Sequence, residues 1–105
     1  MKIKFENLCV WPETKLGEYS VEDFIDFFKE EGNIDVTFVE DFVARRVHYL
    51  IFYVSEKQMD QFLIRKPKWG IVFAKDILDN PNDWENLLLS RLYDLKSNGF
   101  TESED

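Results

Sequence analysis

The sequence predicts an α+β fold: a ferredoxin-like βαββαβ sandwich with an extra C-terminal helix. Three observations carry that expectation. Residues 45–54, Arg-Arg-Val-His-Tyr-Leu-Ile-Phe-Tyr-Val, read as a strand that is apolar on both faces and therefore central. The elements follow one another as strand, helix, strand, strand, helix, strand and a final helix. Hydrophobic residues make up 45% of the 105 residues, with ten Phe and three Trp, enough for a core without metal or disulfide support.

Residues 2–11 read as the first strand. Ile3, Phe5, Asn7 and Cys9 alternate with Lys4, Glu6, Leu8 and Val10, and Trp11-Pro12 ends the ladder because proline has no N–H to donate. A polar connection over 13–19 bends at Gly17. Ser20 opens a helix by accepting from the N–H of Asp23, with Glu22 and Asp23 at its positive end. Val21, Phe24, Ile25 and Phe28 make one apolar stripe, which Phe27 widens, and Gly32-Asn33 closes the helix in a left-handed cap. Residues 34–40 form a second strand, polar enough on one face for an edge. The link 41–44 contains no Gly, Pro or Asn, and a bulge at Phe42-Val43 is one way to accommodate it.

After the central strand, Ser55 and Gln58 have the spacing of a capping box. Met59, Phe62 and Leu63 form the inward stripe of a second helix that Lys66-Pro67 ends. Residues 69–74 read as the fourth strand. Asn80-Pro81 opens a third helix, held by Trp84, Leu87, Leu88, Leu92 and Leu95 and closed by Asn98-Gly99. The implied strand order is 4-1-3-2, with two helices on one face and the extra helix over part of the other. Residues 1–98 make a single domain; 99–105 make an acidic tail expected to be mobile.

The formal net charge of −8 is unevenly placed. Residues 18–43 carry nine acids against one lysine, and residues 44–75 carry seven bases against two acids. Such a surface repels phosphate backbones and suits a basic partner, and it also keeps a Phe-rich chain in solution. The single cysteine, Cys9, excludes an intrachain disulfide and fits a reducing compartment. No apolar run approaches the roughly 20 residues that span a bilayer, and the first residues lack a signal-peptide core. The expectation is a cytoplasmic chain without membrane contact.

No catalytic residue, metal ligand or cofactor is assigned. His48 lies mid-strand and reads as a satisfied imidazole; a Cys9–His48 nucleophile pair would need an orienting group and an oxyanion site that the sequence does not display. The row Glu22, Asp26, Glu30 reads as a solvated helix face, and the cluster Asp76, Asp79, Asn80, Asn82, Asp83 as helix capping, without the order of a calcium loop. Tyr49 and Tyr53 share a sheet face, as stacking aromatics do in RNA-recognition modules. The glycine-aromatic signature of those modules is absent, however, and packing under the third helix is the plainer reading.

The remaining function class is protein binding. The candidate partner-binding residues are Glu18, Glu22, Asp23, Asp26, Glu30, Glu31 and Asp35, with Glu40 and Asp41 beside them. Glu30 and Glu31 stand at the negative end of their helix, where acids are locally unfavourable. The expectation is a non-enzymatic acidic domain that engages a basic protein, such as a nuclease or another nucleic-acid-handling protein, without binding nucleic acid itself. In physical type this is the role of a nuclease immunity protein or a phage-encoded nucleic-acid-mimic inhibitor. The alternatives are a small structural domain that forms a homodimer through residues 69–74 or the third helix, and an RNA-recognition-like module.

Overall fold

The expected central strand is β3, Val47–Val54, and its last six residues are all buried. A computed structural model describes residues 4–15 and 17–98 of the chain. The other strands are β1 (Leu8–Glu13), β2 (Val36–Ala44) and β4 (Val72–Phe73). The helices are α1 (Val21–Gly32), α2 (Met59–Trp69), α3 (Ala74–Asp79) and α4 (Asn86–Ser97). The strands form one antiparallel sheet in the order β2-β3-β1-β4. This α+β architecture is compatible with a ferredoxin-like kind of fold.

Both faces of the sheet are covered, which is why β3 has no polar face. Leu50, Phe52 and Val54 pack with Cys9, Phe24, Phe28, Ile34 and Phe62 on the α1–α2 side. Tyr49, Ile51 and Tyr53 pack with Leu8, Val10, Ile77, Leu88, Leu92 and Leu95 on the α3–α4 side. The alternation along β3 thus divides one strand between two cores.

α1 forms where its end signals place it. The Ser20 hydroxyl accepts from the Asp23 N–H at 3.2 Å, while the Asp23 carboxylate accepts from the Ser20 N–H at 2.8 Å. At the other end Asn33, with φ 52°, is the left-handed residue and donates its N–H to the Lys29 carbonyl. Gly32 is still helical, and its role is space. A Cβ there would stand 2.8 Å from Cη2 of Trp69 and 3.1 Å from Cδ1 of Ile34. The Trp69 ring is itself held by Phe27, Phe28 and Phe62 and cannot swing away freely. Gly32→Ala is expected to lower stability by about 1 kcal/mol, overpacking of ~1–3 offset by a helix-propensity gain of ~1. Urea denaturation checks this; a stabilised variant would show that α2 shifts without cost.

Several boundaries differ from the expectation, each for a local reason. Phe5–Asn7 is a 3₁₀ turn and not the start of a strand, because the buried Asn7 amide donates to the Val54 carbonyl at 3.0 Å and ends the sheet there. β1 continues through Pro12 to Glu13. β4 pairs only with Cys9 and Val10, so beyond them β1 is partnered on one side alone, where proline is tolerated. β2 begins at Val36 and runs on through residues 41–44, with its bulge at Val39 and not at Phe42-Val43. The hairpin turn is Arg45-Arg46, so β3 begins at Val47; the two arginines have φ 49° and 64°.

α2 does not stop at Lys66-Pro67. It reaches Trp69 and is capped by Gly70 at φ 74°. Pro67 and Leu63, the residue four before it, are both exposed, so water can take the carbonyl that proline leaves without a partner. The buried Phe62 and the packed Trp69 hold the turn on either side. Leu63 therefore faces outward, contrary to expectation. The Ser55 capping box is not formed, because the Gln58 side chain is drawn away to accept from the Asp35 N–H at 3.1 Å.

The longer α2 leaves β4 only two residues where residues 69–74 were expected. Ala74, Ile77 and Leu78 then bury one face of the unexpected helix α3. Asn80-Pro81 does open a turn, the 3₁₀ segment Pro81–Asp83 with proline at its start. The Asn80 side-chain amide donates back to the Asp76 carbonyl at 3.4 Å and does not cap that turn, and the α-helix itself starts later, at Asn86. Leu87 on α4 is exposed, and Leu88, Leu92 and Leu95 hold the helix down. The expected closing Gly99 and the acidic tail 99–105 lie outside the described residues. Among the described residues no helix is long and apolar enough to cross a membrane.

Candidate functional site

A groove of about 760 Å³ opens beside α1. Three segments build it. β1 contributes Trp11 and Glu13, alternate positions that face the α1 side; the connection contributes Lys15, Glu18 and Tyr19; α1 contributes Asp23, Phe24, Asp26, Phe27 and Glu30. On α1, positions 23, 26, 27 and 30 repeat the i, i+3, i+4, i+7 spacing of its buried stripe at 21, 24, 25 and 28, rotated toward the groove. Gly17, with φ 77°, turns the chain between β1 and the helix.

The groove floor is aromatic. Trp11 stands edge-to-face with Phe24, Phe27 and Phe28 at centroid distances of 5.0, 5.4 and 5.4 Å, which holds the indole in place from below. Tyr19, 47% exposed, reaches Phe24 at 6.0 Å. The walls are anionic, with five carboxylates against the one ammonium of Lys15. Glu13 accepts from the Lys15 N–H at 2.7 Å, and Asp23 is engaged in the helix cap. Glu18, Asp26 and Glu30 have no hydrogen-bond or ion-pair partner among the described residues.

Of the seven candidate residues, Glu18, Asp23, Asp26 and Glu30 line this groove. Glu22 and Glu31 are exposed on α1 but do not line it, and Asp35 is paired with Lys29 at 3.1 Å. The two neighbouring acids are engaged elsewhere. The bulge at Val39 adds a residue to β2 and resets its in–out alternation, so Glu40 pairs with Ile51 on the α4 face. There Arg91 Nε donates to both Glu40 oxygens, at 2.8 and 2.6 Å. Asp41 lies 2.7 Å from Nε2 of the half-buried His48.

Sequence reasoning did not join Trp11, Glu13, Tyr19 and Phe27 into one site, because they come from three separate segments of the chain. Two signals were available: Phe27 lies off the centre of the buried stripe, and Tyr19 is a large aromatic in a polar connection. Comparisons with family models, with curated proteins and with solved structures return no match. The groove is therefore interpreted from its own chemistry.

The other candidate sites look different in three dimensions. Register places Cys9 opposite Phe52 and His48 opposite Glu13, four residues apart along the ladder or roughly 13 Å. The two side chains do not meet. Tyr49 and Tyr53 are buried on the α4 side and present no open stacking face. In place of the expected six-residue sheet edge at 69–74, only Val72–Phe73 is strand. Among the described residues no three His, Cys, Asp or Glu side chains gather as a metal site requires.

Cys9 itself makes a measurable prediction. It is fully buried, and that burial pushes its thiol well above the ordinary range. The folded chain keeps the proton while the unfolded chain loses it near pH ~8.5, so this stability is complete below that pH and falls as pH rises, by about 1.4 kcal/mol per unit. Urea midpoints at rising alkaline pH should show that slope in the wild type and a shallower one in Cys9→Ala. Equal slopes would mean that the thiol is not the group responsible.

Proposed function

We propose that the chain is a non-enzymatic protein-binding domain whose acidic α1 groove engages a basic partner. The observation that carries the reading is the convergence of Glu18, Asp23, Asp26 and Glu30, joined by Glu13, on one groove with an aromatic floor. Carboxylates on a rigid helix present a fixed anionic surface that steers a basic protein into contact and disfavours nucleic acid. The partner class is a nuclease or another nucleic-acid-handling protein, which the domain would inhibit by occupying the basic surface on which that protein binds the phosphate backbone of nucleic acid. The setting is cytoplasmic, in keeping with a lone buried cysteine. The scaffold is assigned as a ferredoxin-like βαββαβ unit with a C-terminal helical addition; the order β2-β3-β1-β4 supports that reading.

The test is cross-linked capture from the native cell, with the wild type compared with Glu18→Lys, Asp26→Lys and Glu30→Lys combined. All three residues are exposed, so the fold is expected to survive. The expected result is a basic protein recovered by the wild type, with recovery reduced about tenfold or more by the charge reversal and reduced by salt. Capture that ignores both changes removes the electrostatic reading.

A further inference from the structure

We propose that the α1 groove seats an arginine-bearing segment of a protein partner, with a guanidinium laid against the aromatic floor and its edge turned to the carboxylate walls. The proposal rests on the protein-binding reading and specifies what the partner must carry. Two properties of the groove combine to select the occupant. Trp11 and Phe27 are half-buried and Tyr19 projects further, so ring surface is accessible to a ligand and yet fixed by edge contacts beneath it. The oxygens of Glu18, Asp26 and Glu30, unpaired among the described residues, stand around that surface. A cation is attracted to ring faces and to carboxylates alike, and the two attractions add when both are presented together.

Arginine fits this combination better than lysine. Its guanidinium is planar and weakly hydrated, so it can lie on a ring while its N–H groups fork toward carboxylates at the side. An ammonium is compact and strongly hydrated, and a groove open to solvent does little to strip its water. The volume, about 760 Å³, falls in the range of sites that enclose drug-sized ligands, which is more than one side chain needs. The occupant is therefore a short basic segment with one anchored arginine and further bases along the acidic walls.

The experiment titrates the ¹⁵N-labelled full chain with an acetylated Arg-Gly-Arg-Gly-Arg amide and with its lysine twin. The expected result is a set of shifts centred on the Trp11 indole N–H and the amides of Tyr19, Asp26 and Phe27. The arginine peptide should bind about threefold to tenfold more tightly than the lysine peptide. Tyr19→Ala should erase most of that preference while leaving salt-sensitive lysine binding in place. Asp94→Asn, on α4 across the sheet, should change neither. Equal affinities for the twins, or shifts spread over the whole acidic surface, overturn the arginine seat while leaving the charge-driven reading intact. That reading fails separately, through capture insensitive to charge reversal and salt.

Discussion

Phe28→Ala should lower the unfolding free energy by about 3–5 kcal/mol, a loss large enough to leave a domain of this size marginal. Phe28 is fully buried. Its ring meets Trp11 at 5.4 Å, Phe52 at 5.3 Å, Phe62 at 6.1 Å and Trp69 at 5.4 Å, all edge-on. One side chain thereby ties α1 to β1, β3 and α2. Truncation forfeits the transfer energy of the ring and leaves a hole among stiff neighbours, and aromatic rings cannot flow into it as aliphatic chains can. Urea unfolding should show a lower midpoint at unchanged slope. A loss under about 1.5 kcal/mol would mean that α1 settles onto the sheet without its central ring, and that the aromatic cluster is not the main hold on this face. Trp11 rests on Phe28, so the variant also loosens the groove floor and is unsuited to binding measurements.

The opposite sign is expected at the β2–β3 turn. Arg45 and Arg46 both have positive φ, a region where a side chain crowds the following carbonyl at roughly 1–2 kcal/mol per residue. Asn-Gly is the pair that a two-residue turn of this hand prefers. Arg45→Asn with Arg46→Gly should therefore raise stability by about 2 kcal/mol, after allowing up to ~1 for the Arg45–Glu85 ion pair, which is exposed on its arginine side and largely buried on its glutamate side. That pair spans 3.0 Å, with the Arg45 side chain largely in solvent. For a chain of this length the gain corresponds to a rise in Tm of about 8–16 °C. The substitution also removes two positive charges from an acidic chain, so the comparison belongs at moderate salt, where long-range repulsion is screened. No gain would mean that the arginines make contacts in the folded state that offset their backbone strain.

That turn also shows why part of the fold was legible in the sequence and part was not. The centre of the sheet could be read because β3 has apolar side chains toward both cores, and α1 because its ends carry Ser20, Asp23 and Asn33 in their ordinary capping roles. β2 could not be followed past Val39, because a bulge breaks the two-residue period on which the reading depends. A turn built from two arginines carries none of the usual composition signals. α2 outlasted its proline and α3 formed in six residues, since packing of Trp69, Ile77 and Leu78 outweighed local preference. The site divides in the same way. The acids of α1 were visible from their spacing along one helix. The aromatic floor was not, because Trp11, Tyr19 and Phe27 become neighbours only when β1 and the connection fold against that helix.

The irregularity at Val39 has a further consequence at the margin of the sheet. β2 is nine residues long and has no neighbouring strand on its outer side among the described residues, the kind of strand on which a stray chain could template itself. With the ladder interrupted after Phe38 and Glu40 bound by Arg91, an arriving strand meets a twisted and charged border, and sheet-by-sheet accretion finds no straight surface on which to begin.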